Sequence, residues 1–231
     1  MLWRGPFGQG AASGKLGALV ASHNKGGQYL RARTTPTNPN TVQQQAVRNA
    51  VRTLGPRWVE TLNEDQQGAW ETYAANVTLP NRLGDQMHVS GLSMYIRSNV
   101  SRLQAGLDIV DDAPVIYDLG AAPAIGAISI GANELAGATG TITLAGENAW
   151  AADADNALLV YVSRPQNPTK IFFKGPYRLA GEATQVGTTS DYTFGMPFET
   201  NGSNNQNFFT MRVAYADGRL SGATSTSAFP A

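Results

Sequence analysis

From residue 115 onward the chain breaks into short apolar, alternating runs separated by Gly, Asn and Pro. Their roughly ten-residue spacing fits a stack of antiparallel strands and little else. The runs are 115–118 (VIYD), 125–131 (IGAISIG), 139–145 (TGTITLA), 157–163 (ALLVYVS), 169–174 (TKIFFK), 176–186 (PYRLAGEATQV) and 207–215 (NFFTMRVAY), with a last short strand near 219–225. Asp217-Gly218, ahead of that last strand, is hairpin-turn chemistry. This pattern predicts a β-sandwich over 108–231.

Upstream the period becomes helical. Residues 42–54 put Val42, Ala46, Val47, Ala50, Val51 and Leu54 on one stripe, behind a cap at Asn40 or Thr41. Gly55-Pro56 is expected to end that helix, with Pro56 opening a short helical piece over 57–62. Asn63, with Gln66 as its capping-box partner, starts a helix over 64–76. Ser90 caps another over 91–104, which Gly106 stops and whose inner side carries Leu92, Tyr95, Ile96, Val100 and Leu103. Trp58, Leu62, Trp70 and Tyr73 are expected in the core between helices. Before the Asn-Pro linker, 16–22 and 27–34 read as a β-hairpin turned by His23-Asn24-Lys25-Gly26. The expected fold class is α+β: an extended arm over 1–15, a hairpin-and-helices domain over 16–107, and the all-β domain over 108–231.

Charge separates along this order. The formal net charge is zero, yet Met1 to Val59 holds eight basic residues and no acidic one. Residues 1–110 carry eleven basic and six acidic side chains, and 111–231 carry six and eleven. Such asymmetry bears on association rather than on fold. In the second strand of the hairpin, Tyr29, Arg31 and Arg33 share one face, suited to stacking and to pairing with carboxylates or phosphates. The Gly-rich arm has Trp3 and Phe7 as its large apolar groups, so it needs a neighbour to order it.

No reaction chemistry assembles. Without Cys there is no thiolate metal site and no Cys nucleophile. GAASGK (10–15) lacks the first Gly and the Ser/Thr of a phosphate loop. DADN (153–156) misses the Gly and Glu of a calcium loop, and Asp111 and Asp112 are adjacent, so a strand would point them apart. His23 and His88 sit in predicted loops with no triad around them. Hence no catalytic, cofactor or metal residue is assigned. No apolar run approaches the roughly 20 residues that span a bilayer, and the N-terminus lacks a signal-peptide core, so a soluble product without membrane partners is expected.

The ending VAYADGRLSGAT and the run LLVYVS resemble fibronectin type III and related immunoglobulin-like modules, which implies an immunoglobulin-like sandwich. GKLGALVASHNKGGQYLRARTTPTNPNTVQQQAVRNAV, followed by the Trp58, Gln66-Gln67 and Trp70 helices, resembles a family of proteins encoded in bacterial and phage genomes. Its members look like a GK-x-G hairpin, an Asn-Pro linker, a helical segment and an immunoglobulin-like sandwich, with no agreed catalytic residues. The resemblance implies a non-enzymatic bacteriophage virion structural protein, as capsid decoration, minor capsid or tail-associated component. It would act as a homo-oligomer, docking onto other virion proteins or symmetry-related copies. Trp3, Arg4, Phe7, Tyr29, Arg31, Arg33, Arg48 and Arg52 are the candidate partner-binding residues. The alternative is a cell-surface or extracellular binding module that uses the sandwich loops. Nucleic acid, through Arg31, Arg33, Arg48 and Arg52, is not the expected partner.

Overall fold

The computed structural model describes residues 2–3, 12–24, 27–81, 84–131, 139–146, 148–153, 155–184, 191–199 and 205–230. The fold is α+β with antiparallel sheets, and it divides into compact units Met1–Thr41 and Val42–Ala231.

The first unit is a four-stranded antiparallel sheet of β1 (Leu2–Trp3), β2 (Ala12–Leu16), β3 (Leu19–Asn24) and β4 (Gly27–Ala32), in that order. Gly17, at a φ of 55°, supplies the left-handed backbone of the tight turn after Leu16. That turn splits the expected 16–22 strand, so the β3–β4 hairpin covers 19–24 and 27–32 rather than the 16–22 and 27–34 expected, and part of the predicted arm is strand. Asn24 pairs with Gly27, so the strands run into the expected His23–Gly26 turn. Pairing puts Leu16, Leu19 and Ala32 in one row and Gly14, Ala21 and Leu30 in the next, all on one face. Lys15, Val20 and Arg31, then Ser22 and Tyr29, occupy the opposite face.

The second unit begins with α1 (Val42–Glu60), α2 (Glu64–Asn76), β5 (Leu79–Pro80), β6 (Gln86–Met87) and α3 (Gly91–Gln104). Asn63 caps α2 through a full capping box, accepting from Gln66 N at 2.8 Å while its own N–H donates to Gln66 Oε1 at 3.1 Å. The break expected at Gly55-Pro56 does not occur: α1 runs straight through Pro56, which gives up one backbone hydrogen bond but leaves the following turns to pack. Packing decides this, because Leu54 and Trp58 on either side of Pro56 both enter the core with Leu62, Trp70, Tyr73, Met94 and Tyr95. The stripe expected on residues 42–54 is buried only at Leu54; Val42, Val47 and Val51 are exposed. Trp70 meets Tyr95 edge-on at 5.5 Å between ring centroids.

Among the described residues seven further strands follow: β7 (Ile125–Ile130), β8 (Thr139–Leu144), β9 (Ala157–Ser163), β10 (Tyr177–Thr184), β11 (Asp191–Gly195), β12 (Asn207–Ala214) and β13 (Thr224–Ala228). They form sheets of order β10-β9-β12-β13 and β11-β8-β7. Ile130, Ile142, Leu144 and Phe194 of the smaller sheet share one core with Leu158, Val160, Val162, Phe209, Met211 and Val213 of the larger. Residues 115–118 and 169–174 are not strands, whereas 191–195, not among the expected strands, is β11. The final strand begins at Thr224 rather than near 219, beyond a turn at Gly218 (φ 88°).

The boundary expected at 107/108 is not a break between compact units. On the sheet face away from the shared core, Ala105 and Leu107 pack with Ala157, Leu159, Ala214 and Leu220. Arg102 crosses the same junction, donating to the carbonyls of Asp108 at 2.8 Å and Tyr215 at 2.6 Å. With cover on both faces, β9 is buried almost throughout, while β8, open on one side, alternates.

Candidate interaction surfaces

The candidate residues fall into separate groups. Tyr29 and Arg31 project from β4 beside Lys15, and Arg33 follows, its N–H donating to Ala18 O at 2.7 Å. All four are exposed. Arg48 and Arg52, one helical turn apart on α1, are exposed as well, but belong to the other compact unit. Trp3 pairs with Ala12 through the backbone, and Arg4 and Phe7 lie outside the described residues.

The sheet of the first unit has an unusual surface. Its apolar face leaves Leu16, Leu19 and Leu30 exposed at 48%, 40% and 54%. From Ser13 to Thr53, Ala21 is the only described residue that is buried. A sheet of this size normally needs its apolar face covered to be stable.

The two-sheet body carries a second asymmetry that the strand register reveals. At one end stand the exits of β8, β10 and β12 and the start of β9, since Thr184 and Ala214 both pair with Ala157. Asp153, Asp155, Glu182, Asp191 and Asp217 lie at or near that end, joined by Asp118, whose carboxylate meets Arg219 at 2.6 Å; they outnumber the cations there, Arg102, Arg212 and Arg219. A backbone N–H from Gly120 and the Arg219 guanidinium hold Asp118 below the usual carboxylate range. At the opposite end, where Ser163 pairs with Tyr177, stand Arg164, Lys170, Lys174 and Arg178, together with Glu199.

A cleft of about 570 Å³ opens at the acidic end, lined by Ala121, Ala122, Ala124, Ala149, Trp150 and Tyr215, with Asp153 and Asp217 among its polar groups. Its inner polar atoms are already committed. Trp150 Nε1 donates to Asn148 Oδ1 at 2.9 Å, Asn156 Nδ2 to Trp150 O at 2.8 Å, and the Tyr215 hydroxyl to Ala121 O at 2.9 Å. Arg219 divides its donors between Asp217 and Asp118 and lies 4.9 Å over the Tyr215 ring. What remains open is alanine and aromatic surface beside carboxylates. Such a lining favours an apolar insertion flanked by cations over a small polar ligand.

The opposite end presents such an insertion. The loop between β9 and β10 is pinned by Phe173, which stacks on Phe208 at 5.7 Å and meets Tyr177 edge-on at 5.2 Å. The Tyr177 hydroxyl donates to Phe173 O at 2.9 Å, and Lys170 Nζ to Gln166 Oε1 at 2.8 Å. Ile171 and Phe172 are left outside, 97% and 60% exposed, with Lys174 Nζ 5.7 Å from the Phe172 ring. Sequence reading missed this tip by taking 169–174 for a strand; its signal was an apolar triplet bracketed by lysines.

Among the described residues no group of three or more His, Cys, Asp and Glu is placed to hold a metal ion. Asp153 Oδ1 instead accepts from Asp155 N at 3.0 Å in a local turn, and His88 Nδ1 lies 3.2 Å from Ala74 O. No helix among the described residues is long and apolar enough to cross a membrane. Neither a protein-family model nor a curated protein matches the chain.

Proposed function

We propose that the protein is a non-enzymatic bacteriophage virion structural protein, a capsid decoration, minor capsid or tail-associated component that works by assembling. The observation that carries this reading is the first compact unit, a four-stranded sheet in which Ala21 is the one residue buried among the described residues from Ser13 to Thr41. A basic segment with an apolar sheet face and almost no core of its own gains its stability by docking. Its partners are other virion proteins or further copies of this chain, and its place is the virion.

The two-sheet body is read as an immunoglobulin-like, fibronectin type III-like sandwich that the particle displays. Strand order supports this. The first, second and fifth of the seven strands form one sheet, and the order fourth-third-sixth-seventh forms the other, the arrangement that the fibronectin type III resemblance implies.

The test is location. Antibody raised against the full chain should label purified phage particles at regular positions, and the chain should stay with the particles through density banding. Finding it only in the particle-free fraction of a lysate overturns the reading.

A further inference from the structure

Two ends of one body carry surfaces of complementary shape and character. One end holds the 170–174 tip, with Ile171 and Phe172 exposed and Lys170 and Lys174 beside them. The other holds the cleft of about 570 Å³, with an alanine and aromatic lining and the carboxylates of Asp153 and Asp217, the latter already paired with Arg219. Within one copy they stand at opposite ends of β9, so the tip cannot reach its own cleft.

We infer that the 170–174 tip of one copy seats in the cleft of a second copy, placing Ile171 and Phe172 against Trp150, Tyr215 and the alanines, and Lys170 and Lys174 beside Asp153 and Asp217. This inference builds on the reading of the chain as an assembling structural protein and names one of its partners. Three observations commit the site to a second copy. Among the described residues, basic side chains prevail at the tip end, while carboxylates outnumber Arg102, Arg212 and Arg219 at the cleft end, so docking is attractive and orients the approach. Polar atoms inside the cleft are already paired, so an apolar insert leaves none of them orphaned. Phe173 and Tyr177 hold the tip in place, so little ordering entropy remains to be lost on contact. Because tip and cleft are different surfaces, the contact is heterologous: copies run head to tail and close into a ring or continue as a filament.

The absence of native cysteine makes the test direct. Ile171→Cys and Ala149→Cys, each in the full chain, are mixed under mild oxidation, and the double variant is treated alone. Cross-linked heterodimer from the mixture, and a ladder of multimers from the double variant, are expected. A second variant, Ile171→Asp with Phe172→Asp, should raise the dissociation constant at least about tenfold, the loss of two apolar anchors. Its thermal melt should stay unchanged, since neither side chain is in the core. Cross-linking of Ile171→Cys only with itself, a wild-type chain that sediments as monomer at all concentrations, or a monomer captured by anionic vesicles through the tip, would each overturn the contact. The outcomes separate from those of the particle test. Wild-type chain on particles but no ladder leaves the virion reading standing without this contact; a ladder from a chain never found on particles does the reverse.

Discussion

Arg57 and Asp111, from α1 and the segment after α3, form a two-pronged ion pair. Arg57 Nε donates to Asp111 Oδ1 at 2.8 Å and Nη2 to Oδ2, while the Tyr95 hydroxyl donates to the same carboxylate at 3.0 Å. The backbone carbonyl of Asp111 accepts from Trp70 Nε1 at 2.8 Å. One residue thus ties α1, α2 and α3 to the chain that leads into the sheets. Arg57, ahead of the Tyr95 hydroxyl, holds the Asp111 carboxyl below its ordinary range, against the opposing effect of burial. A depressed folded-state pKa contributes stability that is present above the unfolded value and drains as pH falls through the folded one. Asp111→Ala should therefore cost about 2 kcal/mol at neutral pH. It should also flatten the loss of stability between about pH 5 and pH 2, as read by urea unfolding across that range.

Gly91 opens α3 against α2. A Cβ there would lie 2.7 Å from the backbone nitrogen of Glu71 and 3.0 Å from its Cα, atoms that cannot swing aside. Helix propensity alone would reward alanine, whereas the close approach penalises it. Gly91→Ala should lower stability by about 1–3 kcal/mol, measured by thermal unfolding. A gain would mean that the two helices separate freely.

Arg97 is half-buried at the junction of α3 with the loop after β12, where Nη2 donates to Leu220 O at 3.2 Å and the buried Nη1 has no hydrogen-bond partner among the described residues. Burial, aided by the nearby Arg212, pushes its pKa down to about 10. The fold therefore disfavours the charged form, and stability should rise as pH climbs toward and past that value. Arg97→Met should stabilise the protein by about 1 kcal/mol at neutral pH and remove that rise. Equilibrium denaturation of both chains at neutral and alkaline pH checks it.

Replacing Arg31, Arg33, Arg48 and Arg52 together with Gln should weaken assembly and leave the circular-dichroism melt unchanged, since all four side chains are exposed. Assembly in the wild type should also weaken with salt. Particle binding unaffected by the four substitutions would reduce the basic segment to a solvated surface.

Local chemistry made much of the fold legible. The caps at Asn63 and Ser90, the stop at Gly106 and the strands over 157–163 and 207–215 follow from side-chain types within a few residues. What sequence hid were decisions made by packing at a distance. Pro56 stays helical because Leu54 and Trp58 share a core. Strand β11 is short and polar, and it is held by β8 and by Phe194 in the shared core. The tip and the cleft come from strand register, which spacing along the chain does not encode. That Tyr29 and Arg31 share a face was readable from alternation, whereas the exposure of all of β4, Leu30 included, was not.

The wedge of Ala105, Leu107 and Arg102 between helices and sheet has a practical corollary for anyone transplanting the β-domain. Cut at 107/108, the excised piece would bare Leu159, Ala214 and Leu220 and orphan the carbonyl of Tyr215. A portable cassette has to keep the helices that carry this wedge, and the exposed linker ahead of α1 is where a protease should clip first.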